Sequence, residues 1–418
     1  MNVLIKAATL VVPENLILHL KKRDIHIKNG KILTIAKEIS DIPNAQIVAK
    51  ENLHVSVGWF DSGVAFGEPG FEERETLENG LDVAGKSGFT DIVLNTNTQP
   101  NPDSSSAIVF LKERSTHKST SLHPLGNLTV GGQGETLAEL YDMHQAGAVG
   151  FYDFKSPVSN ANLIKIALEY AQNFSGLVFA YPFDQTIQGN GVAHEGVIST
   201  KLGLKGIPAL AEELQIERDL SILEYTGGKL HIPTISTAGA VKRVATAKAK
   251  GLDVTCSAAI HNLLFTDSYL EDFDSRYKLM PPLRTKADTD ALKKAVIDGT
   301  IDFITTDHTP IDIEEKRMAF DHAEYGTIGL ESAFGALNKC FGMEKTISLL
   351  TKGRSRFGLD EIELKERAMA NLTLFNPENQ YTFSIENIRS TSTNSAFINT
   401  TLLGKVYGVI NNSKINLV

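Results

Sequence analysis

Eight short apolar runs, separated by stretches with helical periodicity, are the feature that most constrains the fold of this 418-residue chain. Short apolar runs bounded by turn residues are typical of buried strands, and the stretches between them repeat apolar residues at helical spacing. Several stretches end in glycine, a residue common just after a helix. The runs are VSVGWFD (55–61), DIVLNTN (91–97), SLHPLG (121–126), AVGFYD (148–153), LVFAYPFD (177–184), KLHIPTIS (229–236), DVTCSA (253–258) and DFITTD (302–307).

Eight buried strands that alternate with helices over about 300 residues predict an α/β fold, a (β/α)8 TIM barrel. An open doubly wound sheet is the alternative. No GxGxxG motif follows a strand, and the count of eight favours the closed barrel. Because the catalytic side chains of such barrels lie at the carboxyl ends of the strands, we expect any active site there.

The two ends of the chain have a different pattern of apolar and polar residues from the middle. Segments such as RDIHIKNGKILTIA and GKVYGVINNSKINLV alternate apolar and polar residues and are interrupted by Asn-rich turns, which is typical of half-buried strands and hairpins. We therefore predict a small β-sandwich domain built from residues 1–54 and 370–418. The barrel then spans residues 55–369.

Charge and cysteine content argue against several classes of protein. The chain has 41 basic and 50 acidic residues, a net charge of −9 and a pI near 5.7, which argues against nucleic-acid or anionic-membrane partners. Cys256 and Cys340 are its only cysteines, so we expect neither a disulfide framework nor a thiolate zinc site, and a cytoplasmic location fits best. No apolar stretch is long enough to predict a membrane span.

The stretch GWFDSGVAFGEPGFEE (58–73) shows a strand that opens into a loop. This is the place where a barrel carries its chemistry. Residues 62–67 nevertheless provide one hydroxyl and no strong metal ligand. The position of this stretch therefore indicates catalysis, whereas its side chains do not.

Four long phrases carry a resemblance to a known family. The chain resembles the dihydroorotases of the amidohydrolase superfamily along nearly its whole length. That resemblance implies a barrel with a split β-sandwich and the interconversion of carbamoyl-aspartate and dihydroorotate in pyrimidine biosynthesis. The phrases are GWFDSGVAFGEPGFEERETLENGLDVAGKSGFTDIVLNTNTQP, GVISTKLGLKGIPALAEELQIERDLSIL, KLMPPLRTKADTDALKKAVIDGTIDFITTDHTP and FDHAEYGTIGLESAFG.

The resemblance also implies a zinc site whose ligands are largely replaced here. The family places a His-x-His pair on the first strand, Lys or Asp on the fourth, single histidines on the fifth and sixth, and Asp on the eighth. All four histidine positions carry other residues. In the order of the strands, the positions map to Gly63, Ala65, Asp153, Pro182, Thr234 and Asp307.

Two carboxylates do not make a catalytic zinc site, which needs about three protein ligands and an open position. Asp153 and Asp307 are enough only for a hydrated Mg²⁺. His231 lies three residues before Thr234, and an odd offset on a strand faces the opposite side, so we predict a packed histidine rather than a ligand. We expect no metal, with zinc or magnesium as the alternative, and we expect Asp307 to be a vestigial catalytic residue.

The substrate-binding positions are also altered. The family arginine that pairs with the substrate carboxylate maps to Gly67, a polar asparagine to Met280, and a histidine to Ile311. Asn97 is retained and is the candidate substrate-binding residue. Loss of a bidentate guanidinium removes a charge-assisted clamp on the substrate.

Two further features have ordinary explanations. His261, in AAIHNLLF, is predicted to pack in the interior. The basic residues of KGRSRFG (352–358) are either a solvated helix end or a small patch for an anion or a partner.

These observations predict a catalytically impaired relative that serves as a structural or regulatory partner of aspartate carbamoyltransferase. The resemblance implies this partner, because some family members without the zinc ligands are non-catalytic companions of that enzyme. We also expect a homo-oligomer. Two alternatives stay open: an active cyclic-amide hydrolase with an atypical metal site at Asp153 and Asp307, and a protein that binds another small molecule in the emptied pocket.

Overall fold

The computed structural model describes residues 1–418 and contains seventeen strands. They are β1 Asn2–Leu10, β2 Lys22–Lys28, β3 Lys31–Ala36, β4 Gln46–Val48, β5 His54–Val57, β6 Trp59–Val64, β7 Phe89–Leu94, β8 Ser121–Pro124, β9 Leu177–Phe179, β10 Ala193–His194, β11 Gly206–Ile207, β12 Lys229–Ile232, β13 Val254–Ala259, β14 Phe303–Thr305, β15 Leu372–Thr382, β16 Thr401–Asn411 and β17 Lys414–Leu417.

Thirteen α-helices lie mainly between the strands of the middle segment. They are α1 Leu77–Lys86, α2 Ser105–Arg114, α3 Leu140–Ala146, α4 Ala161–Ala171, α5 Gln185–Gln188, α6 Val197–Leu202, α7 Ala209–Thr226, α8 Ala238–Ala249, α9 Ile260–Leu264, α10 Lys286–Asp298, α11 Ile313–Lys316, α12 Leu330–Phe341 and α13 Met343–Leu350. Short 3₁₀ helices span Val130–Gly132, Gln172–Phe174, Asp267–Leu270, Ser275–Tyr277, Arg354–Phe357 and Ile385–Asn387.

Strands from both chain ends form one eight-stranded sheet. Its order is β17-β16-β15-β5-β1-β2-β3, with β4 paired to β1. Alternating buried and exposed residues, as in β2, place one face on a separate core of 17 buried residues. Residues distant in sequence therefore share a hydrophobic core.

The middle segment forms two parallel sheets in chain order. One has the order β6-β7-β8 and the other β14-β13-β12-β9. Isolated parallel bridges join them at Gly126–Phe151, Phe151–Val178 and Val64–His308. The larger core, of 63 buried residues, lies around these sheets. The carboxyl ends of the strands therefore meet on one side of the molecule.

Two of the eight predicted strands differ in the structure. The run 148–153 forms no strand, and only Phe151 makes bridges to its neighbours. The run 55–61 is split at Gly58, because residues up to Val57 pair with β15 in the terminal sheet. A Cβ on Gly58 would lie 1.9 Å from Asn371 Oδ1, so the chain passes its neighbours too closely for a side chain at this change of sheet.

The segment 352–358 closes the amino-terminal side of the parallel strands. Arg354 forms a buried ion pair with Asp91 at 2.7 Å, and Arg356 pairs with Asp253. Phe357 is buried among aromatic rings. Tertiary contacts thus use the charges of Arg354 and Arg356, whereas Lys352 is exposed.

None of the helices has the combination of length and apolar character that a membrane span requires.

Candidate functional site

Of the predicted site residues, Gly63, Thr234 and Asp307 line one cavity at the carboxyl ends of the parallel strands, in a region that we call the strand-end site. Its central cavity has a volume of about 20 Å³. A cavity of this size holds about one water molecule. The side chains and backbone around it belong to Ser62, Gly63, Asn95, Tyr152, Phe154, Phe179, His231, Pro233, Thr234, Ser257, Thr305 and Asp307.

Asp61 fastens the first parallel strand to the last. Its Oδ1 accepts hydrogen bonds from the Gly63 N–H at 3.1 Å and from Thr305 Oγ1 at 2.8 Å, while Oδ2 accepts from the Thr306 N–H at 3.2 Å. Burial raises the pKa of Asp61 to about 6, although these hydrogen bonds oppose the rise. The hydrogen bonds of Asp61 therefore hold the ends of the first and last parallel strands together.

The positions that map to histidine ligands provide almost no donor atoms. A Cβ on Gly63 would stand 3.4 Å from both Asn95 Nδ2 and Thr305 Oγ1, so neighbouring polar groups lie against this position. Ala65 is buried. Thr234 provides a single hydroxyl, which is buried and has no partner. A hydroxyl alone is a poor substitute for imidazole toward zinc.

His231 is held by packing, as predicted, but it does not face away from the site, because it lines the same central cavity as Thr234. Its Nδ1 lies 2.9 Å from Thr255 Oγ1 and its Nε2 lies 3.2 Å from Ser257 Oγ. Its ring stacks on Phe303 at a centroid distance of 5.2 Å. Burial lowers its pKa well below the ordinary value, so the ring is neutral.

Asp153 is turned away from a shared metal position. Its Oδ1 accepts hydrogen bonds from Asn127 Nδ2, the Leu128 N–H and the Thr129 N–H, and its Oδ2 accepts from Thr129 Oγ1. Burial raises its pKa, and the bonds from Thr129 oppose the rise. The carboxylate therefore organises the loop 127–129.

Asp307 faces a lysine that the sequence reasoning missed. Lys155 Nζ lies 2.9 Å from Asp307 Oδ2, and the two side chains are 15% and 6% exposed. Burial raises the pKa of Asp307, and the nearby Lys155 opposes the rise. The only sequence signal was a lysine two residues after Asp153, and a loop lysine is ordinarily solvated.

The arrangement does not fit a metal ion. No group of three or more His, Cys, Asp or Glu side chains is placed to hold one. The two mapped carboxylates have other partners, namely the loop 127–129 for Asp153 and an ammonium group for Asp307. The alternative of a magnesium ion held by both carboxylates would require Asp153 to give up its hydrogen bonds to the loop 127–129.

Asp307 and His308 do not act on each other as a pair in this geometry. His308 Nδ1 accepts a hydrogen bond from the Gly329 N–H at 3.1 Å, and its ring packs edge-on to Phe66. Burial lowers the pKa of His308 to about 4. His261 is buried as predicted, its two ring nitrogens have no partner, and burial lowers its pKa to about 3.

The mapped substrate positions are closed or apolar. Met280 and Ile311 are buried. Asn97 Oδ1 is buried without a hydrogen-bond partner, and the substrate-binding role of Asn97 stays a prediction. Gly67 has φ of +131°, and a Cβ there would lie 2.6 Å from the Phe71 carbonyl oxygen. The backbone at Gly67 therefore excludes the arginine that the family uses.

Replacing Gly67 by arginine is expected to destabilise the protein by roughly 1–3 kcal/mol, because the left-handed backbone and the Phe71 carbonyl both oppose a side chain. The measurement is urea unfolding followed by circular dichroism. The matched control is Gly63→Ala, whose Cβ meets its nearest neighbours at an ordinary 3.4 Å, and we expect a change within about 1 kcal/mol. Equal losses in the two variants would contradict the steric interpretation.

A buried charged network lies beside the strand-end site, and the sequence analysis did not identify it. Arg284 donates from Nε to Ser236 Oγ at 3.0 Å and from Nη1 to the Ile207 carbonyl at 3.0 Å. Its Nη2 lies 3.4 Å from Glu212 Oε2, and neither side chain is more than 1% exposed. Burial raises the pKa of Glu212, and Arg284 opposes the rise. The network anchors the loop that follows β12.

His194 completes this network on the other side of the guanidinium. Its Nδ1 lies 3.0 Å from Arg284 Nη1, and since arginine only donates, Nδ1 is the acceptor. Burial, and then the charge of Arg284, lower the pKa of His194 to about 4. Strands β10 and β11, the start of α7 and the loop after β12 are thus held to one side chain.

Comparison with known proteins gives a consistent result. Residues 54–240 match the family model described as "Dihydro-orotase-like". A dihydroorotase from Pelotomaculum thermopropionicum is 37% identical over 385 residues, which cover 90% of each chain. A dihydroorotase from Citrifermentans bemidjiense is 33% identical over 418 residues, 98% of each chain.

Solved structures with the same fold are hydantoinases. The L-hydantoinase (dihydropyrimidinase) from Arthrobacter aurescens superposes with a TM-score of 0.83 at 19% identity, over 100% of this chain and 97% of that chain. The D-hydantoinase (dihydropyrimidinase) from Thermus sp. gives 0.80 at 19% identity, over 99% and 94%. At this identity the likeness shows the fold alone.

Proposed function

Because the chain belongs to the dihydroorotase family, we propose that it is a dihydroorotase-like protein of pyrimidine biosynthesis that has lost the metal centre and does not turn over dihydroorotate. Relatives named dihydroorotase cover at least 90% of both chains and support the family role. We also propose that the parallel strands close into a (β/α)8 barrel. The bridge between Val64 and His308 supports closure, because it joins the first strand to the segment after the last.

The observation that carries the proposal is the size and lining of the central cavity. It has about 20 Å³, whereas pockets for small organic ligands span about 300–1,000 Å³. The chain's own side chains fill the space around the mapped ligand positions. A cyclic amide with a carboxylate does not fit there in this conformation.

The side-chain chemistry supports the same conclusion. Hydrolysis of an unactivated amide near neutral pH commonly relies on a metal that lowers the pKa of bound water. Three protein ligands and an open position are needed to hold zinc for that purpose. Among the residues that line the central cavity, Asp307 is the only carboxylate, and it already has an ammonium partner.

The alternative of an atypical metal hydrolase requires Asp153 and Asp307 to bind one ion. Asp153 would have to release hydrogen bonds from three residues, Asn127, Leu128 and Thr129, before it could turn inward. Each buried donor left without an acceptor costs about 1–3 kcal/mol. The geometry therefore favours the non-catalytic function.

The partner that we propose is aspartate carbamoyltransferase, and we further propose that the protein assembles as a homo-oligomer. The support is the family resemblance, in which members without zinc ligands accompany that enzyme. A non-catalytic member contributes through its surfaces, so its value to the assembly does not depend on the strand-end site.

The test is to purify the full chain without chelators, then measure its metal content and its turnover of dihydroorotate and carbamoyl-aspartate. We expect zinc far below one per chain, no turnover above the uncatalysed rate, and co-elution with the transcarbamoylase of the same organism. The Pelotomaculum thermopropionicum dihydroorotase is the positive control for the assay. One zinc per chain together with turnover would refute the proposal, and failure to co-elute would remove the partner.

A further inference from the structure

Lys155 is the one cationic side chain that contacts Asp307 at the strand-end site. Its Nζ lies 2.9 Å from Asp307 Oδ2, within hydrogen-bond distance, and both side chains are largely buried. Residue 155 follows the bridging residue Phe151 and residue 307 follows β14, and the two are 152 positions apart in sequence. The contact therefore depends on how the two loops are folded.

The backbone of both residues is held in an unfavourable region. Lys155 has φ of +53° and Asp307 has φ of +47°. Residues with a Cβ seldom adopt these values, and they persist where the surroundings determine the conformation. The positions are therefore shaped to bring the two charges together.

Neighbouring contacts direct Lys155 toward the strand-end site, whereas Asp153 points away from it. The Lys155 N–H donates to the Tyr152 hydroxyl at 3.2 Å, and its ammonium group lies 5.1 Å from the centre of the Phe154 ring. Asp153 turns toward the loop 127–129. One short loop thus withdraws a carboxylate from the site and inserts an ammonium group.

We propose that Lys155 supplies, from within the chain, the positive charge that Asp307 needs, and so takes the place of a metal ion at the strand-end site. The inference rests on the proposed function, because it requires that no metal centre forms. A buried carboxylate without a counter-charge is strongly destabilising. A divalent cation would have to displace the ammonium group to reach Asp307. Lys155 is thus a positioning residue. With it, the two loops that carry Lys155 and Asp307 need no metal ion to hold their conformation.

The test compares Lys155→Met, Asp307→Asn and the double variant by urea unfolding of the full chain. We expect each single substitution to lower the folding equilibrium constant by roughly a hundred- to a thousandfold, because each leaves one buried charge unpaired. The double variant removes both charges and should recover most of that loss. The matched control is Lys165→Met, whose partner Glu169 lies 3.5 Å away on an exposed helix face, and we expect little change.

A second readout distinguishes a metal substitute from an ordinary ion pair. Millimolar Mg²⁺ should raise the melting temperature of Lys155→Met, because a hydrated Mg²⁺ can occupy the vacated space beside Asp307. Neither Mg²⁺ nor EDTA should move the melting temperature of the wild type or of the double variant. If Lys155→Met does not fold, folding of the double variant still supports the inference, and failure of both overturns it.

Additive losses in the three variants, or a wild type that EDTA destabilises, would overturn the inference. If the stability losses of the two single variants add up in the double variant, and the protein has no turnover, only the proposed role of Lys155 is overturned. Zinc-dependent turnover would instead refute the proposed function, whatever the outcome of the cycle.

Discussion

Replacing Arg284 by methionine is expected to lower the free energy of unfolding by roughly 3–5 kcal/mol, which is the usual cost of leaving a buried charge without its partner. The guanidinium is the only cation that faces Glu212, and both groups are almost fully buried. Its loss also leaves His194 Nδ1 without this donor, whereas the Ile207 carbonyl keeps its hydrogen bond from the Glu195 N–H. Urea unfolding monitored by tryptophan fluorescence measures the change, since Trp59 is the single tryptophan and is buried.

The matched control is Arg276→Met, because Arg276 and its partner Asp274 are 32% and 26% exposed. A more exposed ion pair contributes up to about 1 kcal/mol. If the two methionine variants lost equal stability, the buried network would have no special role. A variant with both Arg284→Met and Glu212→Leu should be more stable than Arg284→Met alone, because no unpaired charge remains.

Truncation of Phe357 to alanine is expected to destabilise the protein by roughly 3–5 kcal/mol through the cavity it leaves. The Phe357 side chain is 4% exposed. Its ring centre lies 5.3 Å from that of Phe60, 5.9 Å from that of Phe303 and 6.1 Å from that of Phe179. The residue therefore connects three parallel strands, β6, β9 and β14, and thermal or urea unfolding measures the loss.

Phe110→Ala is the comparison for Phe357, since Phe110 lies on α2 and is 41% exposed. An exposed substitution of this kind changes stability by about 0.5 kcal/mol or less. Comparable losses would mean that the ring cluster under the strand-end site is loosely packed. A loss confined to Phe357 would show that KGRSRFG contributes to the core rather than to a binding patch.

The order of strands was accessible from sequence because burial imposes a local pattern. Parallel strands covered on both faces are continuous apolar runs, and these can be counted without knowing the fold. The exceptions were Gly58, where the chain changes sheet, and Phe151, which stands alone between two strands. Both features depend on neighbours distant in sequence, so local periodicity cannot predict them.

For the candidate site, the sequence predicted the missing ligands but not the new contacts. A missing ligand is visible in the sequence, since glycine, alanine, proline and threonine cannot provide imidazole. A new contact is not visible. The pairing of Lys155 with Asp307 and of Arg284 with Glu212 joins residues 152 and 72 positions apart, and a charged side chain in a loop or helix gives no local sign of its partner.

By itself, the sequence determined the alternation of strands and helices, the contribution of both ends to one β-rich domain, and the absence of histidine at the four mapped positions. Only the tertiary structure decided the direction of each charged side chain. It turned Asp153 toward the loop 127–129, brought Lys155 to Asp307, and left a cavity of about 20 Å³ between Gly63 and Thr234. The physical reason is that residue type fixes which groups are present, whereas loop dihedral angles and long-range packing fix which groups meet.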